Sequence, residues 1–291
     1  NQLRLKMTEL ETAFSFLGQV DFIRAKAKLS LELLADMPLV SDKPVIKWMK
    51  ARHPVLFMTL KGKREIVPLD IDLLENERML LVSGPNAGGK SVCLKTVGIL
   101  QYMLQCGLLV PASPDSQAGI FNDIFIDIGD QQSIENDLST YSSHLKNMGF
   151  FLQHAGDQSL VLMDELGAGT DPNFGGAIAE SILHGLLNRK VWCVATTHYY
   201  NLKLFAENHS GIRSAAMRFD ENKLIPLYIL DIGKPGSSFA LEIAEKTGLP
   251  DQTLQEAKAL VGKELMGFES LVRTLEKEKS ELSERVAGLE K

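Results

Sequence analysis

The chain has 291 residues, 45% of them apolar and 23% charged, with a formal net charge of −6, a composition that suits a globular protein with one large core or two smaller ones. This acidity excludes a global basic field, so contact with DNA or RNA needs a local patch or parts outside the chain. No apolar run approaches the roughly 18 to 20 residues of a membrane span and no signal peptide is visible, so a cytoplasmic protein with no membrane partner is expected.

The chain starts at Asn1, and over residues 3–35 Met7, Leu10, Phe14 and Leu17, then Phe22, Ala25 and Leu29, recur at steps of three and four. This spacing predicts an amphipathic helix. Asp36-Met37-Pro38 and Asp42-Lys43-Pro44 interrupt it and predict a boundary near residue 40. Short β-type segments are expected at residues 55–60 and 65–69, followed by a strong strand at 79–82. Residues 92–106 read as a helix and 121–128 as a strand. The continuous apolar runs at 159–163 and 191–196 have the character of strands covered on both faces, with a helical pattern at 174–187 between them. Strands alternating with helices predict an α/β layer around a mainly parallel sheet. A β-type segment at 224–230 and helices at 239–247 and 251–261 follow.

Beyond them, Phe268, Leu275, Leu282 and Leu289 lie seven apart, with Val272 and Val286 four residues after the first and third and Lys279 interrupting. A coiled coil is expected to begin there. The pattern breaks off within its repeat, so the chain reads as a piece of something longer. Cys93, Cys106 and Cys193 lack CxxC spacing and sit among apolar residues, which predicts unpaired core thiols in a reducing compartment rather than a zinc site.

Chemistry concentrates first in Gly84-Pro85-Asn86-Ala87-Gly88-Gly89-Lys90-Ser91, a GxxxxGKS pattern between a predicted strand and a predicted helix. In that setting backbone N–H groups and the helix N-terminus face a phosphate, Lys90 reaches the β- and γ-phosphates, and Ser91 ligates Mg²⁺. Hydrolysis further needs a metal ligand and a positioned water. Asp164, at the end of the apolar run 160–163, suits the first, and Glu165 the second, as orienter or general base. An acidic pair after a buried strand is costly unless it meets a metal. His198 closes the next apolar strand and is placed to sense the γ-phosphate.

Between these motifs lies a polar segment too rich in hydrogen-bonding groups for a core element. GPNAGGKS, IGDQQSIENDLSTYSSH, LVLMDELGAGTDP and ATTHYYNLK together resemble the MutS ATPase, and in detail the second bacterial type of MutS homologue rather than the mismatch-reading first type. The resemblance implies a P-loop ATPase of the ATP-binding-cassette type, using ATP and Mg²⁺ and working as a head-to-head homodimer with each nucleotide between two subunits. Under it, Ser139 is the signature serine acting on the γ-phosphate bound by the other subunit, with Asn136 nearby. Gln131 or Gln132 stands near Mg²⁺ and water, and Gly167-Ala168-Gly169-Thr170-Asp171 touches its twin. Ile66 and Val67 sandwich the adenine, Ile66 replacing an aromatic residue common there and so trading stacking for apolar contact. Arg52-His53-Pro54 is family-like and reads as structural.

The same resemblance divides the chain into the end of a helical lever region (1–45), the ATPase domain (46–232), a helical dimerisation extension (233–262) and the start of a coiled coil (263–291). It implies a clamp acting on nucleic acid, either branched DNA in suppression of recombination or collided ribosomes in rescue. The clamp itself and any nicking activity are expected outside these residues. Competing readings are a first-type mismatch-repair protein and a nucleotide-gated structural DNA-repair clamp with little turnover. The short separation of Ser91 from Asp164 opposes the latter. A metabolic P-loop kinase would need an arginine-rich lid, which is lacking.

Overall fold

The computed structural model describes residues 6–85, 88–129, 137–220, 223, 225–237, 240–261 and 274. In chain order they form α1 (Met7–Leu33), β1 (Leu39–Ser41), β2 (Ile46–Ala51), α2 (Pro54–Leu60), β3 (Leu69–Leu73), β4 (Met79–Ser83), α3 (Lys90–Gln105), β5 (Gln117–Gly119) and β6 (Asp123–Asp127). Then come α4 (Asp137–His154), β7 (Ser159–Met163), α5 (Pro172–Asn188), β8 (Trp192–Thr196), α6 (Tyr200–Asn208), β9 (Ile212–Asp220), β10 (Ile225–Ile232), α7 (Ala240–Lys246) and α8 (Asp251–Val261).

The main sheet has six strands in the order β10-β9-β4-β8-β7-β6. All neighbours run parallel except β10, which pairs antiparallel with β9. Strands β4, β7 and β8 are buried at every residue, and their alternating side chains feed two cores, as a period of two requires. Leu80, Val82, Leu160, Leu162 and Val194 join Leu94, Val97 and Leu100 of α3 on one face. On the other, Met79, Leu81, Val161, Met163, Cys193 and Ala195 meet Phe151 of α4, Leu183 of α5 and Leu202 of α6. Each fully buried Leu or Val side chain contributes about 1.5 to 3 kcal/mol. These clusters hold the C-terminal ends of the strands in register.

A second sheet, β1-β5-β2-β3, packs its buried Ile46, Trp48, Ile71 and Leu73 against the α3 side of the first core. The short β1 and β5 lack any sustained apolar alternation, and this sheet was not anticipated. The β-type reading of residues 55–60 is corrected to α2. Pro54 begins the helix, and the His53 side chain accepts the Leu56 N–H at 3.4 Å, so local start signals override β-branched content. The segment expected at 65–69 becomes a strand only from Leu69 onward. Strand β9, with no continuous apolar run, was also missed.

Helix α1 forms as predicted, but only its Leu33 is buried, and Phe14 is 72% exposed. Its apolar stripe therefore meets the core of the described residues only at its C-terminal end, where Leu29 packs beside Leu33. Cys93 and Cys193 are buried, whereas Cys106 is exposed, a correction that follows from its position just past the end of α3. The heptad segment lies outside the described residues apart from Thr274. Among the described residues no helix is long and apolar enough to cross a membrane.

Candidate functional site

Parallel strands deliver their C-terminal ends to one edge of a sheet, where ligands of α/β proteins gather. Val82 of β4 pairs with Thr196 of β8, and Met163 of β7 with Ala195. Residues just beyond these pairs, Gly84, Asp164 and His198, are therefore brought together although far apart in sequence.

The phosphate-loop candidate leaves β4 at Ser83 and enters α3 at Lys90. Gly89 caps α3 with φ of 91°, and a Cβ there would lie 3.0 Å from the Tyr228 ring. A side chain at this position meets both backbone strain and a neighbouring ring. Lys90 is buried, and its ammonium donates to the Gly84 carbonyl at 2.9 Å and the Pro85 carbonyl at 3.1 Å. Nζ also lies 3.0 Å from His198 Nε2. Burial chiefly lowers the Lys90 pKa to about 8, opposed by Glu165 and Asp164 and reinforced by Lys203. Ser91 is the next residue of α3, on the same helix N-terminus. Asn86 and Ala87 lie outside the described residues.

His198 has an exposed side, but Nε2 faces the Lys90 ammonium. Desolvation, followed by Lys90 and Lys203, lowers its pKa to about 4 against the opposing pull of Asp164. A neutral imidazole accepting at Nε2 carries its proton on Nδ1.

Asp164 and Glu165 emerge from the end of β7. The Asp164 N–H donates to the Asp127 carbonyl at 2.9 Å, and Glu165 takes φ of 48°. Asp127 itself is only 5% exposed. Its carboxylate lies 2.6 Å from His144 Nδ1 and accepts from Asn147 Nδ2 at 2.8 Å. This joins β6 to α4, whose first turn contains Ser139. The backbone of Ser139 is helical, but its side chain, like Gln131, Gln132 and Asn136, lies outside the described residues. Asp127, His144 and Asn147 were not singled out from sequence. A buried acid ending a strand next to a polar helix is the signal they offered.

Gly167 to Asp171 lead into α5, which Asp171 caps by accepting the Asn173 N–H at 2.9 Å. Gly167 has φ of 90°, and a Cβ there would come within 2.6 Å of Tyr199. The Tyr199 hydroxyl donates to the Gly167 carbonyl at 2.9 Å. Phe174, in the first turn of α5, is exposed. At the other side of the loop, Ser83 Oγ accepts the Gly236 N–H at 2.6 Å, and Lys203 Nζ donates to the Gly236 carbonyl at 2.7 Å. The segment entering the C-terminal helices is thus anchored at the base of the phosphate loop.

Beside Gly89 opens a cavity of about 240 Å³, lined by His53, Arg64, Ile66, Val67 and Tyr228 among others. Ile66 and Val67, which the family resemblance assigns to the adenine, both line this cavity. Tyr228, His53 and Arg64 were missed as cavity residues. The Arg64 guanidinium sits 5.6 Å from the Tyr228 ring centroid, and Tyr228 takes φ of 57° within an irregularity of β10. Neither its ring position nor the bulge has a local sequence signature. His53, read as structural, both caps α2 and lines the cavity, and burial followed by Lys95 lowers its pKa.

A family model described as MutS domain V matches residues 80–265. The Endonuclease MutS2 of Carboxydothermus hydrogenoformans is 44% identical over 99% of this chain and 37% of its own length. Those of Clostridium botulinum (strain Kyoto / Type A2) and Clostridium kluyveri (strain NBRC 12016) are each 42% identical, over 99% and 90% of this chain and 36% and 33% of their own lengths. The chain thus spans little more than a third of these curated relatives. The matched residues include the phosphate loop, the acidic strand and His198, so the chain belongs to the MutS family through its domain V, a P-loop ATPase fold.

Proposed function

We propose that this domain binds and hydrolyses Mg²⁺-ATP at a site completed by a second copy of the chain. The observation that carries this reading is the convergence of Lys90, Asp164 and His198 at the C-terminal ends of the parallel strands of one sheet. The residues also fit the charge of the ligands. A buried ammonium held by two loop carbonyls, with its pKa lowered by burial, is suited to an anion. An adjacent carboxylate pair with oxygen donors is suited to a hard cation.

In the proposed mechanism the loop Gly84, Pro85, Asn86, Ala87, Gly88 and Gly89 would cradle the phosphates through the backbone N–H groups of its non-proline residues, Pro85 having none to donate, and Lys90 contributes its positive charge. Ser91 and Asp164 would hold Mg²⁺, with Gln131, which lies outside the described residues, assigned to it by the family resemblance alone; the ion would neutralise phosphate charge. Glu165 orients a water and takes its proton, while neutral His198 keeps its imidazole toward the γ-phosphate side. Ile66, Val67 and Tyr228 enclose the base. Ser139 and Asn136 act on nucleotide held by the partner copy, so dimer closure depends on the γ-phosphate and opening follows hydrolysis.

The work done by closure is proposed to be a clamp on nucleic acid, either branched DNA or the RNA of collided ribosomes, exerted through regions outside the described residues. In the full-length protein, Glu165→Gln is expected to retain ATP binding while turnover falls by about 10²- to 10⁴-fold. Mixtures of Glu165→Gln and Ser139→Ala subunits are expected to depart from the average of the two variants. Turnover equal to that average removes the shared site. Pull-down with the Glu165→Gln trap, scored for ribosomes against chromosomal DNA, separates the two targets.

A further inference from the structure

Thr196 ends β8 and is fully buried. Its hydroxyl donates to Asp164 Oδ1 at 2.5 Å and accepts the Glu165 N–H at 2.8 Å. Its carbonyl accepts the Leu166 N–H at 2.9 Å. One residue thus holds three consecutive positions of the turn after β7. The reach follows from registry: Met163 pairs with Ala195, so Asp164 and Thr196 leave their strands side by side.

A hydroxyl has one proton and two lone pairs. Here the proton is spent on a carboxylate and one lone pair on the next amide. Valine has nearly the same shape but supplies neither bond, leaving a carboxylate oxygen and a backbone N–H without their partner in a half-buried setting. The turn needs such a hold because Glu165 occupies the left-handed region at φ of 48°, which is costly for a residue with a side chain unless its surroundings fix it.

We propose that Thr196 is the positioning residue of the acidic pair: by engaging Asp164 Oδ1 it directs Oδ2 to the cation, and by engaging the Glu165 amide it sets the general base. This rests on the reading of Asp164 and Glu165 given above. The hydroxyl acts through those carboxylates and touches no reacting atom.

The test uses full-length protein with Thr196→Val, Thr196→Ser and Asp164→Ala. Mn²⁺ serves as a paramagnetic probe of cation binding in the presence of a non-hydrolysable ATP analogue. Loss of a hydrogen bond to a charged group predicts about a 10- to 100-fold weaker Mn²⁺ half-saturation for Thr196→Val. Nucleotide affinity measured without divalent cation is expected to stay within about twofold, and kcat to fall about tenfold or more with KM little changed. Thr196→Ser, which keeps the hydroxyl, is expected to recover both to within about threefold. Thr196→Ala repeats the measurement should valine compromise folding. Wild-type Mn²⁺ binding in Thr196→Val beside a defective Asp164→Ala overturns the inference alone. So does a serine variant as impaired as valine, since the methyl group would then carry the effect. Wild-type Mn²⁺ binding in Asp164→Ala overturns the metal-ligand reading beneath it as well.

Discussion

Lys90 Nζ lies 3.0 Å from His198 Nε2, so the first residue of α3 is bonded to a residue just past the end of β8. The same ammonium holds the Gly84 and Pro85 carbonyls. A cation so placed, among groups that cannot fully replace water, is set to exchange these partners for phosphate oxygens.

Burial holds the Lys90 pKa near 8, and a phosphate beside it raises that value again. Above pH 8 the free protein has lost the proton that the complex retains, so binding takes up a proton and affinity falls as pH rises. Calorimetry at pH 8.5 in buffers of different ionisation enthalpy is expected to report this uptake. Lys90→Arg, whose side chain stays charged, is expected to abolish it. Binding heats independent of the buffer in the wild type contradict the assignment.

Asp127 joins His144 and Asn147 of α4 through its side chain and Asp164 through its carbonyl. If α4 presents Ser139 to a partner, His144→Ala harms the site on the other subunit. Nucleotide affinity is expected to change by less than about twofold, while turnover falls about tenfold, the scale of one lost charge-assisted bond. In mixtures with Glu165→Gln subunits, the defect is expected to follow the copy that supplies Ser139. A loss confined to the subunit's own nucleotide site removes this role.

Tyr228 flanks the cavity with Ile66 and Val67. Removing its ring with Tyr228→Ala is expected to weaken ATP by roughly 5- to 100-fold, the range of one base-stacking contact. Tyr228→Phe is expected to bind within about twofold, because the stacking face remains. Titration with a fluorescent adenine nucleotide distinguishes these outcomes, and equal affinity in the alanine variant excludes a stacking role.

A Cβ on Gly98 of α3 would lie 2.7 Å from Leu162 Cδ1 of β7. Gly98→Ala is therefore expected to destabilise the fold by about 0 to 2 kcal/mol, an overpacking cost of about 1 to 3 kcal/mol offset by roughly 1 kcal/mol of helix propensity. Leu162→Ala, which opens a cavity, is expected to cost about 2 to 5 kcal/mol alone and less in the Gly98→Ala background. Denaturant unfolding of the two single variants and the double variant measures the coupling, and strict additivity refutes the proposed clash.

The central strands were legible because they obey a local rule. Residues 160–163 and 192–195 are apolar without interruption, and burial on both faces of a parallel sheet demands that pattern. Helices α3, α5 and α8 followed from spacing and breaks in the same way. Residues 55–60, expected as a β-type segment, are helical because Pro54 at the first position and the His53 cap start α2. The second sheet and β9 were hidden because short strands paired across long sequence separations leave little periodic trace.

By itself the sequence determined the site's chemical types: a phosphate loop at Gly84 to Ser91, an acidic pair at Asp164 and Glu165, and an imidazole at His198. These are contiguous motifs whose flanking strands and helices are specified within a few residues. Only the tertiary structure decided which groups meet. The 3.0 Å approach of Lys90 to His198, the grip of Thr196 on Asp164 and Glu165, and the placing of Tyr228 beside Ile66 and Val67 depend on strand order, register and a bulge in β10. Such contacts span large sequence separations, and their energy is realised only after the two cores have fixed the sheet.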